Sequence, residues 1–142
     1  MKNSILTKSK KSIVKLFTYV CLFFVSAAAM ASTDITAEAM LAMEKSERLL
    51  LDVRTVEEHT NSHIPASVNI PIDEIETRLF RLSEFKDAPV VVYCRSGFRA
   101  GKAIAILEKN GFTNVMHLEG DMLGWEAKNR PTSQLEKMGD NR

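Results

Sequence analysis

Apolar and polar positions along residues 32–142 alternate between two kinds of short run. Leu49-Leu50-Leu51-Asp52-Val53 and Pro89-Val90-Val91-Val92-Tyr93 are nearly continuous apolar stretches, the pattern of strands covered on both faces of a parallel sheet. Ala66-Ser67-Val68-Asn69-Ile70-Pro71 and Val115-Met116-His117-Leu118 read as two further strands, the first closed by proline. Between them the spacing turns helical. Residues 37–44 predict a short helix with Thr36 or Asp34 as its N-cap and Met40, Leu41 and Met43 in the core. Residues 55–59 predict a single helical turn, and Asp73 is placed to cap a helix over 74–81 whose inward positions are Ile75, Leu79 and Leu82. Ala103, Ile104, Ile106 and Leu107 give the apolar face of a longer helix, which Gly111 ends as its C′ residue. After a turn at Gly120, residues 121–128 form a last helix on which Trp125 is a packing residue.

Strands alternating with helices predict a three-layer α/β domain, a mostly parallel sheet flanked by helices. Sites in such sheets gather at the carboxyl ends of the strands. Asp52, Arg54 and Cys94 all fall at such ends.

Residues 1–31 follow neither pattern. Lys2, Lys8, Lys10, Lys11 and Lys15 precede an apolar segment at about 16–29, and the stretch closes on Ala29-Met30-Ala31, a small-x-small cleavage pattern. The segment is shorter than the ~20 residues of a spanning helix. It is expected to be a cleavable secretory signal peptide, leaving 32–142 as a single periplasmic domain with no stable membrane insertion. Those five lysines belong to the 19 basic residues of the chain, whereas all 18 acidic residues lie in 32–142, which therefore carries a net −4. A nucleic-acid partner, which would need a basic face, is excluded on that balance. Cleavage also removes Cys21 and leaves Cys94 alone. A lone cysteine in an exported chain cannot form an internal bridge, which points to reactivity.

Tyr93-Cys94-Arg95-Ser96-Gly97-Phe98-Arg99 joins the central apolar strand to the longest helix. Backbone N–H groups at such a junction converge near the helix N-terminus, where negative charge is favoured. Cys94 is the candidate nucleophile, with Arg95 and Arg99 on either side and Gly97 allowing a tight curl. The three histidines have no metal-ligand spacing, and His63 is expected to fix a turn by hydrogen bonding.

Three separated motifs resemble the rhodanese family of thiosulfate sulfurtransferases in its single-domain form, over residues 34–130. They are Leu50-Leu51-Asp52-Val53-Arg54 with Glu57-Glu58, His63-Ile64-Pro65 and Asn69-Ile70-Pro71; the Cys94–Arg99 loop; and Leu118-Glu119-Gly120 with Gly124-Trp125. The chain departs from the family pattern at His59, Ser62, Ala66-Ser67 and Asp121, the last standing where a second glycine is frequent, and all these departures are expected to lie away from the loop. The resemblance implies a rhodanese-like fold, no cofactor and no metal. It also implies transfer of sulfane sulfur from thiosulfate, a small anionic donor, to cyanide, a thiol or a protein acceptor through a persulfide on Cys94. Arg95, Ser96, Gly97, Phe98 and Arg99 would then bind substrate, with Phe98 exposed at the crown. Asp52, Arg54 and Glu58 would support the loop, Glu58 by pairing with Arg99. Four residues between Cys94 and Arg99 give a loop one shorter than that of related phosphatases of this fold, which favours sulfur over phosphate or arsenate. A persulfide carrier serving a protein partner is the alternative from outside catalysis.

Overall fold

A short run of branched apolar side chains suits a strand covered on both faces of a sheet, and the two central strands are of this kind. The computed structural model describes residues 33–135. Its strands are β1 (Thr33–Ile35), β2 (Leu49–Asp52), β3 (Val68–Asn69), β4 (Val90–Tyr93) and β5 (Val115–Leu118). Every residue of β2 and β4 is buried, and the two pair in parallel from Leu49 opposite Val90 to Asp52 opposite Tyr93. All pairings are parallel, in the order β1-β5-β4-β2-β3.

Alternation along the strands divides the core in two. Leu49, Leu51, Val90 and Val92 face one layer with Ile75, Leu82, Ala103, Ile104 and Leu107. Leu50, Val91 and Tyr93 face the other with Met40, Ile64, Met122 and Trp125. The helices are α1 (Ala37–Ala42), α2 (Val56–Asn61), α3 (Ile75–Arg78), α4 (Phe98–Lys109) and α5 (Asp121–Ala127). The three-layer α/β expectation is met. From β2 the chain moves outward to β3, then returns to the opposite side of β2 to form β4. Loops leaving the carboxyl ends of β2 and β4 therefore diverge, and the crevice between them is the switch point of the sheet.

Several elements differ from the sequence expectation. β1 carries no apolar pattern and exists through its pairing, Thr33 opposite Met116 to Ile35 opposite Leu118. The strand expected over 66–71 shrinks to two residues, because Ala66 turns at φ +65° and Val68 stands on an exposed edge. Residues 72–85 form a 3₁₀–α–3₁₀ succession, with only 75–78 fully α-helical. Asp73 caps nothing, since it lies inside the first 3₁₀ turn and makes no capping bond. Leu41 is 53% exposed, because α1 is only six residues long and rests on the sheet through Ala37 and Met40. Thr36, not Asp34, caps α1 by accepting the Ala39 N–H. Gly111 does end α4, at φ +87°. Trp125 is core and donates its indole N–H to the Pro131 carbonyl at 2.9 Å. The expected signal peptide, residues 1–31, lies outside the described residues. Among these, no helix is long and apolar enough to cross a membrane.

Leu107, fully buried under α4, tests the core assignment against exposed Leu41. Leu107→Ala is expected to lower stability by about 2–5 kcal/mol in urea unfolding, and Leu41→Ala by less than about 0.5 kcal/mol.

Candidate active site

β4 delivers Cys94 to the crevice as a free thiol, 1% exposed at the floor of the loop. The chain then turns so sharply that Gly97 sits at φ +102° and α4 begins at Phe98. The expected six-residue loop is thus four residues followed by the first helical turn. Gly97 donates its N–H to the Cys94 sulfur at 3.1 Å. A side chain at position 97 would suffer twice, from its φ and from a Cβ only 3.2 Å from Asp121 Oδ2.

The first turn of α5 orients the other peptides. Met122 N–H donates to the Cys94 carbonyl at 3.1 Å, and Leu123 N–H to the Arg95 carbonyl at 3.2 Å. Across a planar trans peptide the N–H points opposite to the carbonyl. The Arg95 and Ser96 N–H groups therefore point away from α5, toward the open side of the loop. Together with the Gly97 N–H and the α4 N-terminus they form a cradle for an anion.

Arg99 lies in the first turn of α4 and is clamped from the β2 side. Its guanidinium donates two bonds to Glu58, at 2.6 and 2.9 Å, which realises the expected pair. Thr55 and Glu58 form a reciprocal capping box at the start of α2, so the carboxylate is aimed before it meets Arg99. The Arg99 hydrogen bonds, with further help from Thr55, hold the Glu58 carboxyl down at about 2. Glu58 in turn holds Arg99 more firmly protonated, and Cys94 adds to the effect. Arg95 and Ser96 are exposed, and Phe98 is 74% exposed, with the Lys102 ammonium 4.5 Å from its ring centre.

Asp52 and Arg54 make a closed set behind the loop. Arg54 donates to both Asp52 oxygens, at 2.6 Å for the shortest bond, and to the Ser62 carbonyl at 2.7 Å. His59 Nδ1 lies 3.0 Å from Asp52 Oδ2. Burial pushes the Asp52 carboxyl up, but the bonds from His59 and Arg54 outweigh it and hold it at about 2. Asp52, 0% exposed, and Arg54, 5% exposed, spend their side chains on one another, on His59 and on the Ser62 carbonyl. Arg54 sits 5.5 Å over the ring of Tyr93, the residue before Cys94. His63 ties its turn to the His59 carbonyl at 2.7 Å and stacks on His59, as expected of a structural histidine.

Four participants escaped the sequence reading. Thr55 was visible as the first residue of a capping box, Thr55-Val56-Glu57-Glu58. Tyr93 was read only as a core residue, but its hydroxyl meets the Ile64 N–H at 3.2 Å and Ser67 Oγ at 3.0 Å. Asp121, a departure from a frequent glycine expected to lie away from the loop, instead touches it at Cys94 and Gly97, and His117 had no local signal. Asp121 Oδ1 accepts the Cys94 N–H at 2.7 Å, and its Oδ2 lies 2.9 Å from His117 Nε2. Among the described residues, no group of three or more His, Cys, Asp or Glu could hold a metal ion.

A family model for the rhodanese-like domain matches residues 36–128. The chain belongs to the rhodanese-like domain family. A sulfurtransferase from Allochromatium vinosum is 36% identical over 83 residues, 58% of this chain and 76% of that protein. A putative sulfur carrier protein, YrkF of Bacillus subtilis, is 35% identical over 97 residues, 67% of this chain and 51% of the relative. This rhodanese-like chain spans only 28% to 51% of the longer relatives, which include tRNA uridine(34) hydroxylases. Among solved structures, a rhodanese-related protein from Thermoplasma volcanium superposes with a TM-score of 0.63 at 28% identity, covering 71% of this chain and 97% of that one.

The two depressed carboxyls set an acid limit on the rhodanese-like domain. Both folded values lie below the ordinary ones, 4.5 for Glu58 and 3.8 for Asp52, so their stabilisation is complete above those values and lost as pH falls toward about 2. Urea midpoints measured across pH 6 to 2 are expected to drop through that window, and Glu58→Gln to flatten the upper part of the drop.

Proposed function

We propose that the chain is a thiosulfate sulfurtransferase that works through a persulfide on Cys94. The observation that carries the reading is the Cys94 sulfur receiving the Gly97 N–H at 3.1 Å, inside a four-residue loop at the α4 N-terminus. A donor aimed at the sulfur orients Cys94 for attack, and the cradle of N–H groups suits the negative outer sulfur of a persulfide. The Cys94 thiolate attacks the outer sulfur of thiosulfate, the sulfur–sulfur bond breaks, and its electron pair leaves with sulfite. Charge is conserved, since thiolate and thiosulfate become persulfide and sulfite. An acceptor nucleophile, cyanide or a thiol, then takes the outer sulfur and returns Cys94 to thiolate. Arg95 and the N–H groups of Arg99 that do not meet Glu58 would hold the sulfonate oxygens, since guanidinium offers paired donors to oxyanions. Ser96 and Gly97 would contribute backbone N–H groups, and Phe98 an apolar contact at the rim.

A persulfide carrier for a protein acceptor is the second reading. It is favoured by the likeness to a putative sulfur carrier and by Phe98, a large apolar side chain 74% exposed beside the loop. Excess cyanide separates the two, since a carrier gives one equivalent of thiocyanate and an enzyme many. We further propose that residues 1–31 direct export to the periplasm. The isolated protein is then expected to begin at Ser32, and a cytoplasmic fraction retaining the leader would overturn this.

Purified protein is expected to form thiocyanate from thiosulfate and cyanide and to show a persulfide adduct on Cys94 by mass spectrometry. Cys94→Ser should reduce both to background. Hydrolysis of an aryl phosphate with no thiocyanate formed would overturn the sulfurtransferase reading.

A further inference from the structure

Asp121 is the first residue of α5, 2% exposed, and sits at φ +53° directly after Gly120 at φ +76°. That backbone favours glycine, so an aspartate there needs a compensating interaction. Its two oxygens supply one each. Oδ1 accepts the Cys94 N–H at 2.7 Å, and Oδ2 meets His117 Nε2 at 2.9 Å. His117 Nδ1 faces Asp34 Oδ1 at 3.2 Å across the β1–β5 pairing. With a carboxylate at each nitrogen, the ring can donate to both only in its protonated form, and the neutral ring keeps one bond.

Cys94 needs this partner because the β4–β5 ladder ends at Val92 opposite His117. Its N–H lies beyond the last rung, buried and facing β5, where only a side chain can reach it. With Met122 N–H on the Cys94 carbonyl, the start of α5 grips the nucleophile's residue on both its N–H and its C=O. The same groups back Gly97, whose Cβ position lies 3.2 Å from Asp121 Oδ2 and 3.4 Å from His117 Cε1. Removing the carboxylate frees the Cys94 peptide and opens space behind the residue whose N–H meets the sulfur.

We propose that Asp121, braced by His117, is a positioning residue that sets the Cys94 sulfur and the Gly97 N–H in register. The effect on turnover rests on the sulfur-transfer reading, whereas the effect on Cys94 itself does not. Asp121→Gly separates positioning from mere structure, because glycine suits the backbone there and should leave the melting temperature within a few degrees. The Cys94 amide proton in a ¹⁵N-correlated spectrum is expected to move upfield in this variant. The rate of Cys94 alkylation by iodoacetamide should change by severalfold, and thiosulfate:cyanide kcat should fall roughly tenfold with a smaller change in KM. Asp121→Asn keeps an acceptor for the Cys94 N–H and is expected to stay within about threefold of the parent. If Asp121→Gly fails to fold, His117→Ala, which removes only the brace, is read by the same three measurements. An unmoved Cys94 amide, or a moved amide with alkylation and kcat unchanged, would overturn the proposal. A parent protein that forms no thiocyanate would overturn the sulfurtransferase reading instead, and the amide and alkylation arms would still decide the role of Asp121.

Discussion

Everything around the sulfur depends on holding one peptide, that of Cys94, just past the end of a buried strand. A strand end is a place where backbone groups lose their ladder partners, and in a dry crevice each loss is costly. Here the ladder is replaced by the first turn of α5, whose Asp121 carboxylate and Met122 N–H take the two halves of the Cys94 residue. Because the Cys94 and Arg95 carbonyls are drawn toward α5, the succeeding N–H groups face outward, where an anion can use them. The direction of the cradle follows from the direction of that helix.

The same constraint brings a charge problem. Three carboxylates, Asp52, Glu58 and Asp121, stand around a loop whose N–H groups and helix N-terminus favour negative charge. Each is matched to its own cationic or protonatable partner, Arg54 with His59, Arg99 and His117 respectively. Burial works against the Asp52 and Glu58 charges, and their bonds to His59, Arg54 and Arg99 outweigh it. A further consequence lies in the field that remains. With Asp52 and Glu58 paired to arginines, the amide dipoles, the α4 N-terminus and exposed Arg95 are left as the groups that favour an anion at the loop.

Where charge and packing follow from neighbours in the chain, the sequence is readable. The two central strands are short, nearly continuous apolar runs, the pattern of strands buried on both faces. The cysteine at the strand–helix junction and the glycine that lets it curl follow from local chemistry. Asp52 and Arg54, two apart, form their pair within one strand end. The Glu58–Arg99 pair spans 41 residues and was expected only through resemblance to a family. Errors fell on elements whose existence depends on a distant partner. β1 has two polar residues in three and is a strand only because β5 lies beside it. Asp73 and Leu41 were assigned from local spacing that the real helix boundaries do not respect.

From its own order of residues, then, this chain determined an α/β sheet, a thiol at the end of its central strand and a glycine-bearing turn around it. Apolar pattern and turn chemistry act within a few residues and need no knowledge of what lies across the molecule. Only the tertiary structure decided what backs the turn, because Asp121 is 27 residues from Cys94 and meets it through α5. In sequence, that aspartate is a departure from a frequent glycine. In the fold, it holds the residue that carries the sulfur.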